Sequence, residues 1–194
     1  MDTLTLLEAV AVGLGILYLL LAMQERLSCW YAAFASTLIF LFLFWDVALL
    51  MESALQVYYL AMAVYGWWQW RGGSDTLERA RELPISRRPL RWHLLAIGTV
   101  LLATALSGSL LADYTGAALP YLDSFTTWGA VLTTWMVARK ILENWLYWIA
   151  VDGASIALYL DRELYLTAGL FAVYLVIVVC GFLAWTRHYR AQTC

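Results

Sequence analysis

Glu143-Asn144-Trp145-Leu146-Tyr147-Trp148-Ile149-Ala150-Val151-Asp152, continued by Ser155 and Tyr159, sets a carboxylate deep inside an otherwise apolar run. Wound as a helix, Trp145, Trp148, Asp152, Ser155 and Tyr159 recur at steps of three and four and share one face. The run extends from about Leu142 to Leu160, long enough to cross a hydrocarbon core, and Asp152 falls near its middle. An aspartate at that depth costs roughly 2.5–3.5 kcal/mol on insertion scales, so it has to face protein, water or a ligand. We read this face as one wall of a substrate site.

The remainder of the chain has the same character. Of its 194 residues 63% are apolar and only 13% charged, which excludes a soluble globular domain and indicates an integral membrane protein. Apolar runs stand out at residues 3–23, 28–45, 47–70, 92–111, 124–138, 142–160 and 164–185, continuous rather than alternating. They predict seven transmembrane helices in an all-α fold and exclude a barrel. The first run has no basic leader and no clear small-residue cleavage site after it, so it is expected to be retained as a helix. Residues 71–91, with Gly72-Gly73, Pro84 and Pro89, read as a loop, and 186–194 as a tail.

Placing the amino terminus outside puts Arg26, the arginines of 71–91, Arg139, Lys140, Arg187 and Arg190 on the cytoplasmic side. Of the 12 basic residues only Arg162 then lies opposite. The carboxyl terminus is expected to be cytoplasmic, and the arginines of the loop are most simply topology signals.

An internal repeat emerges when the chain is laid on itself with a shift of 115 residues. Trp30 then meets Trp145, Asp46 meets Asp161, Tyr59 meets Tyr174, Gly66 meets Gly181 and Trp70 meets Trp185. The second and third runs therefore correspond to the sixth and seventh, and by extension the first to the fifth. A fourth helix between two three-helix units restores a common orientation for both. The expected architecture is two parallel three-helix repeats, 1–70 and 124–185, joined by a linker helix at 92–111, with a substrate site between the repeats at mid-depth.

Around that site the sequence offers Gln56, on a stripe of the third run with Glu52 and Tyr59, and Thr37, the repeat counterpart of Asp152. Trp128 shares a face of the fifth run with Trp135, near Thr126, Thr127 and Thr134. Each has a plainer alternative. Belts at the membrane surfaces account for Trp45, Trp67, Trp68, Trp70, Trp92 and Trp185, all at run ends. Asn144 is suited to cap the sixth helix, Glu143 to pair with Lys140, and Gln56 to bridge helices. A carboxylate among indole rings suits an aromatic cation, whose charge the aspartate offsets and whose ring the indoles stack.

Enzyme chemistry is not indicated. His93 and His188 lie at run boundaries, Cys29, Cys180 and Cys194 have no metal-ligand spacing, and no serine-nucleophile elbow occurs, so neither a metal site nor a cofactor is expected. Nothing points to nucleic acid. A lipid-facing surface and a subunit-facing one read alike, so a homo-oligomer is compatible with the pattern.

Asp123-Ser124, Ala138-Arg139-Lys140-Ile141-Leu142-Glu143-Asn144-Trp145-Leu146-Tyr147-Trp148, Leu164-Tyr165-Leu166-Thr167-Ala168, and Gln56 through Tyr65-Gly66-Trp67 closely resemble the Pnu family of bacterial vitamin transporters. The resemblance runs from about Gly13 to Trp185. It implies a SWEET-like 3+1+3 transporter of the bacterial inner membrane that works by facilitated diffusion. A cytoplasmic vitamin kinase traps the substrate, and no ion gradient or ATP site is needed. Gln56, Asn144, Trp145 and Trp148 match positions resembling the family's binding site, while Asp152 and Ser36 stand where some relatives carry asparagine. The resemblance implies nicotinamide riboside first and thiamine as the alternative, both with a cationic ring. A riboflavin branch has a neutral substrate less suited to a buried carboxylate. More remotely, a membrane receptor binding such a ligand without moving it fits the same residues.

Overall fold

A computed structural model of the chain describes residues 3–46, 50–71, 83–114, 119–161, 163 and 165–193; side chains of residues 3–5, 44, 50–52, 54, 166, 167 and 193 lie outside the description. The described residues form seven helices: α1 (Thr3–Met23), α2 (Cys29–Asp46), α3 (Leu50–Trp70), α4 (Leu90–Tyr114), α5 (Pro120–Ala138), α6 (Asn144–Asp161) and α7 (Tyr165–Thr193). Three contain stretches long and apolar enough to cross a membrane, Leu6–Met23, Leu90–Tyr114 and Ala168–Gln192, and Cys29–Leu43 is a shorter apolar stretch. Glu52, Arg162, Cys194 and most of the arginine-rich loop, which carried sequence expectations, fall outside the described residues or side chains.

Helix ends differ from the apolar runs where local chemistry allows. α5 begins at Pro120, whose fixed φ suits a first helical position. α7 continues to Thr193, because Thr186 to Gln192 hold no glycine or proline to stop a helix once it leaves the apolar stretch. Residues expected to be a tail are thus its last turns. Within the helices, three buried hydroxyls are satisfied by the preceding turn, Thr133 donating to the Gly129 carbonyl, Thr134 to Ala130 (2.7 Å) and Ser155 to Val151 (2.9 Å), whereas those of Thr104, Ser124 and Thr186 find no hydrogen-bond partner among the described residues. In the first three a polar side chain sits in an apolar span without an orphaned donor.

The chain divides into two compact units, one of Met1–Pro84 with Ala138–Lys140, the other of Ile85–Val137 with Ile141–Cys194. α4, expected as a linker between repeats, clusters with α5–α7. In the second unit Trp128 Nε1 donates to Ser107 Oγ (3.0 Å), and the Trp92 and Trp135 rings stack at 6.1 Å and 20°. The opposite side of α4 carries the exposed Leu94, Leu95, Leu102 and Leu106.

Each unit contains one copy of the same packing device. In the first, Trp30 of α2 lies edge-on to Trp70 of α3 at 5.4 Å and 87°, directly over Gly66. In the second, Trp145 of α6 lies edge-on to Trp185 of α7 at 5.4 Å and 86°, over Gly181. A residue without a Cβ lets the indole settle on the neighbouring backbone, the usual reason for small residues at membrane helix contacts. The turns at these tryptophans share four backbone bonds at matching positions. Arg26 N donates to Leu21 O and Ile141 N to Met136 O, both at 3.0 Å, closing the preceding helix with a left-handed residue, Glu25 (φ 55°) or Lys140 (φ 47°).

At Gly181 an added Cβ would lie 2.5 Å from the fully buried Trp145 ring, whereas at Gly153 it meets nothing within 4 Å. Gly181→Ala is expected to destabilise the protein by about 1–3 kcal/mol through overpacking. Gly153→Ala is expected to be neutral or to stabilise by up to about 1 kcal/mol through helix propensity. Thermal denaturation of both variants in one detergent checks the contrast.

Candidate functional site

Asp152 is the ninth residue of the 18 in α6, buried to 3% exposure. Among the described residues no hydrogen bond or ion pair reaches its carboxylate. Ser155, one turn on, spends its hydroxyl on its own helix. Across from Asp152, Tyr174 of α7 lies within electrostatic range. Tyr174 is the end of an aromatic series: its ring lies 5.5 Å from Phe171 at 67°, and Phe171 lies 5.2 Å from Tyr159 of α6 at 35°. The resulting surface joins one buried carboxylate to two phenols and a phenyl ring. It can offset positive charge and cover an apolar ring, and it has no nucleophile or metal ligand set; no metal-binding group of His, Cys, Asp and Glu occurs among the described residues.

The other residues singled out in the sequence are distributed more widely. Trp148 is half-buried, with no ring or hydrogen-bond partner among the described residues, one turn before Asp152 on its face. Trp145 is fully enclosed by Gly181 and Trp185, a packing position rather than a wall with free surface. Asn144 is fully buried at the start of α6; its Nδ2 donates to Ile141 O (2.7 Å) while Oδ1 finds no partner. Trp128 is 39% exposed and tied to α4. Thr37 is buried and Gln56 half-buried in the first unit. Ser36 is committed to packing, its Oγ donating to Ala11 O of α1 at 2.7 Å.

A second polar group occupies the head of α6. Glu143 accepts from Arg87 Nε at 3.0 Å, and His93 Nδ1 and the Tyr147 hydroxyl are hydrogen-bonded at 2.8 Å. Ser86 O accepts from Leu142 N (2.9 Å), so the segment before α4 is strapped to the turn before α6. Lys140, the expected partner of Glu143, instead pairs with Glu25 at 2.9 Å. Sequence reasoning missed Phe171, Tyr174 and this group. Tyr174 had one signal, its match to Tyr59 in the repeat.

Comparison with known proteins gives these features a setting. The family described as nicotinamide mononucleotide transporter matches residues 5–187. The nicotinamide riboside transporter PnuC of Escherichia coli is 24% identical over 210 residues, covering 96% of this chain and 87% of that protein. The riboflavin/roseoflavin transporter RibM of Streptomyces davaonensis is 26% identical over 189 residues, covering 93% and 84%. A crystal structure of the vitamin B3 transporter PnuC superposes with a TM-score of 0.75 at 22% identity, over 96% of this chain and 83% of that one, and shares its fold.

The His93–Tyr147 bond joins α4 to α6 in a part-buried setting. Tyr147→Phe leaves the imidazole nitrogen unpaired and is expected to cost about 1–3 kcal/mol of stability. Thermal denaturation in detergent tests this; a stability equal to wild type would show that the bond carries no net energy.

Proposed function

The chain belongs to the nicotinamide mononucleotide transporter family of bacterial multi-pass membrane transporters, and on that premise we propose that it takes up a cationic aromatic vitamin or precursor, nicotinamide riboside ahead of thiamine. The observation that carries this reading is the Asp152 carboxylate, buried at mid-helix with no hydrogen bond or ion pair among the described residues and within electrostatic range of Tyr174, from which a series of rings runs through Phe171 to Tyr159. A buried carboxylate without a protein counter-ion is a site waiting for a cation or a hydrogen-bond donor. The pyridinium ring of nicotinamide riboside and the thiazolium ring of thiamine both supply the charge and a flat apolar face for the rings. A neutral isoalloxazine such as riboflavin leaves the carboxylate uncompensated. The similarity to RibM is what favours riboflavin as a second reading.

In the proposed cycle the substrate crosses by facilitated diffusion through alternating access, and a cytoplasmic kinase phosphorylates it so that it cannot leave. Asp152 neutralises the ligand ring and half-buried Trp148 covers it one turn away. Gln56, Thr37 and Asn144, whose Oδ1 is unpaired, are the proposed contacts to polar substituents. The proposed architecture is the SWEET-like 3+1+3 arrangement, supported by the matched tryptophan–glycine contacts and turns of the two repeats. The amino terminus is proposed to lie outside and the carboxyl terminus in the cytoplasm, following the basic residues. Self-association is not required by this cycle.

Isothermal titration of the purified chain and of Asp152→Asn with nicotinamide riboside and thiamine tests the site. Wild type is expected to bind one of the two, and Asp152→Asn to bind it with a loss of about 1.5–3 kcal/mol, roughly ten- to a hundredfold. An unchanged dissociation constant in the variant would remove Asp152 from the site, and tight binding of riboflavin alone would replace the cationic substrate class.

A further inference from the structure

The turn between α5 and α6 is shared out residue by residue. Ala138–Lys140 belongs to the first compact unit, while Ile141 onward belongs to the second. Each half is anchored by its own bonds. On the second unit's side, Leu142 is held to Ser86 and Glu143 to Arg87. On the first unit's side, Arg139 Nη1 donates to the Tyr65 hydroxyl of α3 at 3.3 Å, and Lys140 Nζ lies 2.9 Å from Glu25 Oε2 and 4.7 Å from the centre of the Trp70 ring. Glu25 and Lys140 are the same position in the two repeats, 115 residues apart, both left-handed at the end of matching turns. Two equivalent residues of a duplicated fold thus carry opposite charges and bond to each other. Their side chains are only 15% and 4% exposed, so the pair is held in a poorly solvated place where removal of the Glu25 carboxylate leaves the Lys140 ammonium without its counter-charge.

We propose that the Glu25–Lys140 pair, with its Trp70 seat, is a latch that closes one end of the transport path and parts when the site opens to that end. The turn it fastens runs directly into α6, and Asp152 lies eight residues along that helix from Asn144, about 12 Å at 1.5 Å per residue. Release of the latch therefore frees the Ala138–Lys140 side of the turn that leads into the helix carrying the proposed substrate carboxylate. This link to transport rests on the function proposed above; the closure itself does not.

Cys29 reports on the closure. It begins α2, is fully buried, and lies within electrostatic range of Lys140. In a Cys180→Ser, Cys194→Ser background it becomes the single thiol. The full chain in proteoliposomes, without any substrate, is treated with a small methanethiosulfonate reagent, and the rate of Cys29 modification is measured. Glu25→Gln and Lys140→Gln are expected to raise that rate by about tenfold or more, the size of a typical conformational coupling. The exchange Glu25→Lys with Lys140→Glu is expected to return it close to wild type, and Arg87→Gln, which breaks the anchor on the other unit, to leave it unchanged. Wild-type rates in both single variants would overturn the proposal. So would an exchange that stays as fast as the single variants, or an Arg87→Gln variant as fast as they are. If the single variants fail to assemble, the exchanged pair decides alone, a slow rate supporting the latch and a fast one overturning it. Because no substrate enters the measurement, its failure is separable from an error in the substrate class.

Discussion

A carboxylate in the middle of an apolar helix has to be compensated, and Asp152 is not compensated by hydrogen bonds or ion pairs among the described residues. The surrounding architecture can be understood from that constraint. The hydroxyls of Ser155 on the same helix and of Thr133 and Thr134 on α5 donate to their own backbone, so they offer the carboxylate little. What α7 presents to it is aromatic, Tyr174 leading to Phe171, whose ring meets Tyr159 of α6. Such surroundings are hostile to a bare charge and favourable to a cationic ring, and this difference is what a selective binding site requires.

The two repeats show how a duplicated scaffold is kept while its chemistry diverges. The tryptophan seated on a glycine and turned edge-on to a second tryptophan is the same in both units to within a degree or so of ring angle, 87° and 86°. The polar positions are not the same. Asp152 stands where the first repeat has Thr37, Phe171 where it has Gln56, and Lys140 where it has Glu25. Packing residues answer to a neighbour within their own repeat and can stay alike. Residues serving one asymmetric ligand, or pairing with their own counterpart, have to differ.

Much of this was legible in the sequence, for reasons that can be named. Continuous apolar runs fix the existence of the helices, since a spanning backbone has to satisfy its own hydrogen bonds. The shift of 115 residues matches Trp30 with Trp145 and Gly66 with Gly181, the residues that pack against each other within each unit. Periodicity placed Trp145, Trp148, Asp152 and Tyr159 on one face of α6, but a face is wide and its neighbours change along it. At the start of α6 that face meets Gly181 and Trp185, so Trp145 is sealed, whereas near its middle it meets Tyr174. Which helix stands opposite is a tertiary fact, and for the same reason the exposed Trp128 leaning on α4 was not foreseen. Lys140 was assigned to Glu143, three residues away, because local spacing favours i, i+3 pairs; the left-handed turn aims it instead at Glu25. The clustering of α4 with the second unit likewise had no signature in its own leucine-rich sequence.

The most direct test of the account is counterflow. Proteoliposomes containing the purified chain and loaded with unlabelled nicotinamide riboside are diluted into a trace of the radiolabelled compound, with neither an ion gradient nor a nucleotide present. A facilitative carrier for a cationic vitamin predicts transient accumulation of label above its equilibrium level, with thiamine as the substitute substrate if nicotinamide riboside gives none. Binding of either cation without counterflow would make the chain a receptor, and counterflow of riboflavin alone would contradict the assignment of Asp152 as the counter-charge.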